Sequence, residues 1–188
     1  MSSLAPRPGL REHVAAAIVE AAAAVFAERG DTANMSDVAG AAGVARATVY
    51  RYFPSREALL EALGTAAVEE VGQGLAAARL DEVAIEEAFT RAVRALVVVG
   101  DYFVVLARER ARIAPDEFDR RVSGVLRALI ERGRTLGEIR QDVPVAWLAE
   151  ALIGVIVSVL GAASSAGAED KVDAITSLFL DGARRGSA

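Results

Sequence analysis

Alanine fills 40 of the 188 positions, and only five prolines interrupt the chain. Alanine is the best helix former because its methyl group loses no rotamer freedom on folding. The residues that stop helices are sparse and well spaced, which leaves little alternative to an all-α fold. The β-branched runs at 96–99 and 104–106 lie inside helical patterns and lack the alternation of a strand. The length suits one domain, or one core with a small appendage.

The punctuation divides the chain. Val14, Ile18, Ala21, Ala22, Val25 and Phe26 recur at the spacing of one helix face, and Gly30 is expected to end that helix as a left-handed cap. Asn34, with Asp37 three residues on, opens a short helix to about Ala42 by a capping-box pairing. Gly43 breaks it, and a second short helix follows to about Phe53. Pro54 and Ser55 restart the chain, with Ser55 as cap and Glu57 and Glu61 near the positive end of a helix reaching the high seventies. Further helices are expected at 82–99, 101–113, 116–136, 144–165 and 168–184, about nine in all. Gly100-Asp101, Pro115-Asp116 and Pro144 mark their starts, and 133–143 is the longest expected loop.

Several function classes lose their parts list. The chain has no cysteine, so neither a disulfide framework nor a thiolate metal site is available, and a lone His13 cannot build a histidine site. Neither G-x-S-x-G nor H-E-x-x-H occurs. No catalytic residue, metal or cofactor is expected, and the chain is read as a non-enzyme. The uncharged tract 151–168 just reaches the length of a membrane span. Gly154, Ser158, Gly161, Ser164, Ser165 and Gly167 dilute it, so it reads as a buried helix. The first ten residues hold Pro6, Pro8 and Gly9 and lack the apolar run of a signal peptide. The expectation is a cytoplasmic protein with no membrane partner.

The formal net charge of −5 argues at first against nucleic acid. The charge is unevenly placed, however. Residues 1–56 hold six arginines against five acids, whereas residues 57–188 hold 15 bases against 21 acids. Between Val38 and Arg56 there is no acid at all, yet Arg46, Arg51 and Arg56 are present, interleaved with Thr48, Tyr50, Tyr52 and Ser55. A duplex surface needs cations and neutral donors together, without carboxylates in the way. Two short helices joined through a glycine also match the helix-turn-helix pattern. Ala39 is small where the helices would cross, and Val38, Val44 and Val49 would fill the shared core.

The segment from 12 to 60 closely resembles the DNA-binding domain of the TetR family of bacterial transcriptional repressors. The matching residues are Ile18, Ala21, Ala22, Phe26 and Gly30, then Asp37-Val-Ala39, Ala42-Gly-Val44, Thr48-Val-Tyr50, Tyr52-Phe53 and Ser55-Arg-Glu57 with Leu59 and Leu60. The resemblance implies a disordered arm at 1–10, a three-helix DNA-binding domain at 11–56, and an effector-binding and dimerisation domain at 57–188. By the same resemblance the helix 46–53 enters the major groove. Arg46 would read a guanine and Ala47 a thymine methyl, while Thr48, Tyr50, Arg51, Tyr52 and Arg56 would meet phosphates. Ser36 stands where a DNA-contacting side chain is common, and Ala45 where a capping serine is common.

For the remaining two-thirds the resemblance implies architecture only: a helical domain whose last two helices pair with their counterparts in a homodimer. Gly154, Ser158, Ala162 and Ser165 make a small-residue stripe, and Val172, Ile175 and Phe179 an apolar face, for that interface. Phe89, Val93, Tyr102, Phe103, Phe118, Val122 and Trp147 are candidates to line an effector cavity, with Tyr102 and Trp147 supplying polar tips. The sequence offers no acidic cluster for a cationic ligand, so a mostly apolar effector is expected. The implied function is a homodimeric repressor on a palindromic double-stranded operator, released by a small molecule. The alternative is a helical carrier or scaffold whose helix-turn-helix no longer binds DNA.

Overall fold

The computed structural model describes residues 9–100, 102, 105–106, 115–162 and 166–184. Among the described residues there are eight helices: α1 (Leu10–Arg29), α2 (Met35–Ala41), α3 (Arg46–Tyr52), α4 (Arg56–Ala77), α5 (Ile85–Val98), α6, α7 (Val145–Gly161) and α8 (Ala168–Ala183). Helix α6 begins as Pro115–Phe118, passes through a π-helical turn at Asp119–Ser123, and continues as Gly124–Thr135. Short 3-10 turns, Gly30–Thr32 and Leu80–Glu82, follow α1 and α4. No strand occurs among the described residues, only an isolated bridge between Ile139 and Arg184. The helix expected at 101–113, with its cap Asp101, lies largely outside the described residues.

Local chemistry sets the element boundaries. The Asn34 side-chain oxygen accepts from the amides of Ser36 at 2.8 Å and Asp37 at 3.2 Å. The Asp37 carboxylate accepts in return from the Asn34 amide at 2.9 Å. This reciprocal box satisfies donors that the first turn of α2 would otherwise leave open. Ser55 caps α4 by accepting from the Ala58 amide at 3.2 Å.

Three boundary expectations are corrected. Gly30 has φ +55° but ψ −131°; it ends α1 in a conformation open to glycine rather than in the left-handed helical well. Helix α6 runs to Thr135, in keeping with the helix expected at 116–136, and Ile139 folds back over Gly133, where an added Cβ would sit 2.5 Å from the Ile139 side chain. The loop therefore begins after α6, not at 133. Helix α7 stops at Gly161, so the uncharged tract is broken, and no helix of the described residues is long and apolar enough to cross a membrane.

Two apolar cores form. One gathers Ile18, Ala22 and Phe26 of α1, Val38 and Ala39 of α2, Val49 of α3, and Leu59, Leu63 and Ala67 of α4, closed by Val105 and Leu106. The other begins at Val71 and Leu75 of α4 and takes in Phe89, Val93, Leu126, Ile130, Leu152, Ile156, Ile175 and Phe179. Each large side chain fully buried here contributes about 1.5–3 kcal/mol. Helix α4 thus serves both cores, changing allegiance between Ala67 and Val71, and Tyr102 packs against both.

Arginines stitch the second core together. Arg132 donates to the carbonyls of Leu80 and, at 2.7 Å, Val83. Arg140 forms a two-point pair with Asp142 and donates to the Gly182 carbonyl at 3.0 Å. Its backbone amide bonds the Ala183 carbonyl at 2.9 Å, so the loop after α6 clasps the end of α8.

Candidate nucleic-acid interface

The turn between α2 and α3 depends on Gly43, whose φ of +65° a side chain would resist. Nothing lies within 4 Å of its missing Cβ, so the requirement is one of backbone conformation alone. The Val44 amide bonds the Ala39 carbonyl at 3.0 Å across the turn. Val38 and Val49 are fully buried beneath it, Ala39 is nearly so, and Val44 is half-buried. Helix α3 is thereby fixed on its inner side by one valine, with Arg46, Ala47, Tyr50 and Arg51 exposed and Thr48 and Tyr52 half-buried. Ala45 provides no side-chain cap, as its methyl group requires. Ser36 is exposed on the first turn of α2.

The arginines divide into two populations. Most of those among the described residues are held by a carboxylate, for example Arg94 by Glu169 at 2.8 Å and Arg127 by Asp119 at 2.8 Å. Arg132 and Arg56 are held by backbone carbonyls. Only Arg11, Arg46 and Arg51 have neither partner among the described residues, and each lies over a tyrosine. The Arg46 guanidinium sits 5.4 Å from the Tyr50 ring centre and its Nη2 donates to the Tyr50 hydroxyl at 3.5 Å. Arg51 and Arg11 lie 5.4 Å and 5.9 Å from the ring of Tyr52. Tyrosine rings orient these cations without neutralising them. A surface of unneutralised guanidinium groups remains on a chain whose total charge is negative.

Arg56 is differently placed. Its Nη1 donates to the Ala33 carbonyl at 2.8 Å, and its guanidinium lies 4.3 Å from the Phe26 ring centre. It braces the start of α4 against α1 and the entrance to α2. Arg29 and Asp37 pair at 2.8 Å nearby, keeping the one acid of α2 occupied. Arg11, on the first turn of α1, was not foreseen as part of this face, because no local pattern links it to a residue 40 positions away.

The candidate effector residues fare unevenly. Phe89, Val93 and Val122 are fully buried in the second core, with Phe118 and Tyr102 half-buried against it. The Phe89 and Phe179 rings lie 5.3 Å apart. Trp147 is corrected: it is 69% exposed on the first turn of α7 and takes no part in the buried core that holds Phe89. Phe103 lies outside the described residues. Sequence reasoning missed Thr176, whose hydroxyl is buried without a hydrogen-bond partner. Nothing about an isolated threonine in a helical pattern signals that.

The interface candidates separate likewise. Gly154, Ser158 and Ala162 are exposed along α7, and Ser165 lies outside the described residues. Val172, Ile175 and Phe179 are corrected: all three are buried in the chain's own core, because α8 packs that face on α5. Its outward face instead carries Ala174, Ser177 and Leu178, the last 62% exposed.

A three-helix unit with a glycine-turned recognition helix, mounted through one long helix on an all-helical core, defines a helix-turn-helix protein. Residues 18–63 match the family of bacterial regulatory proteins known as the tetR family. Over 63 residues it is 48% identical to the HTH-type transcriptional repressor LfrR of Mycolicibacterium smegmatis (strain ATCC 700084 / mc(2)155), a match covering 34% of this chain and 33% of LfrR. That sequence match therefore spans a third of the curated relative's length. The crystal structure of LfrR from Mycobacterium smegmatis in complex with proflavine superposes with a TM-score of 0.75 at 26% identity, covering 90% of this chain and 96% of that one. PfmR from Thermus thermophilus, at 24% identity and a TM-score of 0.67, covers 87% of this chain and 97% of its own and shares the fold.

Proposed function

We propose that the chain is a homodimeric transcriptional repressor that reads a palindromic operator through α3 and leaves it when a small effector binds. One observation carries this reading: among the described residues, the three arginines without anionic or carbonyl partners all sit on α1 and α3, on tyrosine rings. In the DNA complex Arg46 and Ala47 meet base edges, Arg46 as a bidentate donor to guanine. Ser36, Thr48, Tyr50, Arg51 and Tyr52 line the approach to phosphates. Arg56 acts mainly by holding α4 in register with α2. Residues 11–56 supply the DNA-binding surface and 57–188 the effector site and the dimer contact.

Two further observations support the dimer and the effector. Helix α7 carries a single charge, Glu150, in 17 residues, and a helix so apolar on all sides asks for cover. Its exposed stripe of Trp147, Ala151, Gly154, Ser158 and Ala162, beside Leu178 of α8, would meet the same stripe of a second copy in an isologous contact. For the effector, the buried side of α8, which packs on α5, carries Thr176, whose hydroxyl has no hydrogen-bond partner among the described residues and offers one directional hydrogen bond to a mostly apolar guest. LfrR's complex with proflavine makes a flat aromatic compound the first class to try. A ligand that favours one spacing of the two recognition helices shifts the equilibrium away from DNA by its difference in affinity for the two states.

Gel-shift and footprinting assays with duplex DNA upstream of the chain's own gene test this directly. Effector-free protein should protect a palindromic site at low salt. Failure to bind any such site would leave the carrier reading in its place.

A further inference from the structure

We propose that Arg11 of α1 and Arg51 of α3, stacked with Tyr52, form a clamp for one backbone phosphate, so that α1 grips the duplex alongside the helix-turn-helix. The proposal rests on the DNA-binding reading above and adds a site to it. The two guanidinium groups are 40 residues apart in sequence and converge on one ring, at 5.9 Å and 5.4 Å from its centre. Arg11, Val14, Arg51 and Tyr52 line a shallow groove of about 560 Å³ between α1 and α3. The nearest acid in sequence, Glu12, is occupied in accepting from the Gly9 amide at 2.7 Å and forms no ion pair with Arg11.

Two like charges brought together without a counter-ion repel, and the ring offsets only part of that cost. An anion with several acceptor oxygens removes the repulsion. A phosphodiester presents two unesterified oxygens, which suit the fork of each guanidinium. Most arginines among the described residues have carboxylate partners; here a phosphate would supply the anion. Tyr52 is then the positioning residue that sets the two cations, and its half-buried ring need not touch DNA itself.

The test is duplex binding by fluorescence anisotropy across a salt series, on both an operator and a random duplex. Wild type, Arg11→Gln, Arg11→Lys, Arg51→Gln, the double Gln variant and Tyr52→Leu are compared, each first matched to wild type in helicity and melting temperature. The double Gln variant should flatten the plot of log K against log salt by about 0.9, the signature of the one phosphate the pair neutralises, and each single Gln variant by part of that. The fold loss of each should be equal on operator and random DNA, and Arg11→Lys should restore the slope. Tyr52→Leu should weaken binding while keeping the slope. An Arg11→Gln variant that keeps the wild-type slope overturns the clamp, whether or not operator affinity falls. Absence of duplex binding by wild type would overturn the DNA reading instead, a result the clamp variants cannot mimic.

Discussion

At single positions the DNA-binding unit is governed by what each side chain can reach. Gly43→Ala forces a methyl group onto a φ of +65° and should cost about 1–2 kcal/mol in urea denaturation, although the site has room for it. Arg46→Ala should cost about 1–3 kcal/mol at one operator position and relax its base preference. Tyr50 holds Arg46 through ring and hydroxyl, so Tyr50→Phe should weaken the same position, and the double variant should lose less than the sum. Fully additive losses in a binding titration would contradict that coupling. The caps Asn34 and Ser55 were readable from sequence because a capping side chain acts two or three residues away. The pairing of Arg11 with Tyr52 was not, since only the folded crossing of α1 and α3 brings them together.

At the scale of elements, α7 and the clasp after α6 make separate predictions. Gly154→Glu or Ser158→Arg places a charge on the exposed stripe of α7 and should yield monomers in analytical ultracentrifugation with little change in melting temperature. Operator binding should fall with the dimer, because two half-sites need two recognition helices. A stable monomer with undiminished operator affinity would refute the interface. The clasp is pH-dependent. Arg140, hydrogen-bonded to Asp142, holds that carboxyl down at about 2, against an ordinary 3.8. A carboxyl depressed in the folded state stabilises it above its ordinary value, and that contribution disappears as pH falls through the folded one. Between pH 4 and 2 the amides around Arg140 and the end of α8 should therefore lose hydrogen-exchange protection before those of α5. Element existence was legible because alanine and sparse breakers fix it. The orientation of α8 was not, for its apolar face is the same sequence whether it meets a second copy or its own α5.

For the whole molecule, the arginines that lack carboxylate and carbonyl partners among the described residues all fall in 1–56, the segment of more basic balance, although Arg29 and Arg56 of that segment are held. Effector sensing is tested in the second core. Thr176→Val replaces an unpartnered buried hydroxyl by a methyl group, which should leave stability within about 1 kcal/mol or raise it. If the core takes up a flat aromatic guest, the same change should weaken its binding, measured by the guest's fluorescence. Unchanged binding would place the ligand elsewhere. Phe89→Ala, by contrast, should cost about 3–5 kcal/mol as a cavity opens beneath Phe179. The sharing of α4 between two cores reaches further than either. The family match ends at 63, yet Ala67, Val105 and Leu106 complete the packing of the DNA-binding unit. A fragment cut near that point would expose this face and should not hold a native fold. The intact chain should melt in one transition, its DNA-binding end and its core living or dying as a single cooperative unit.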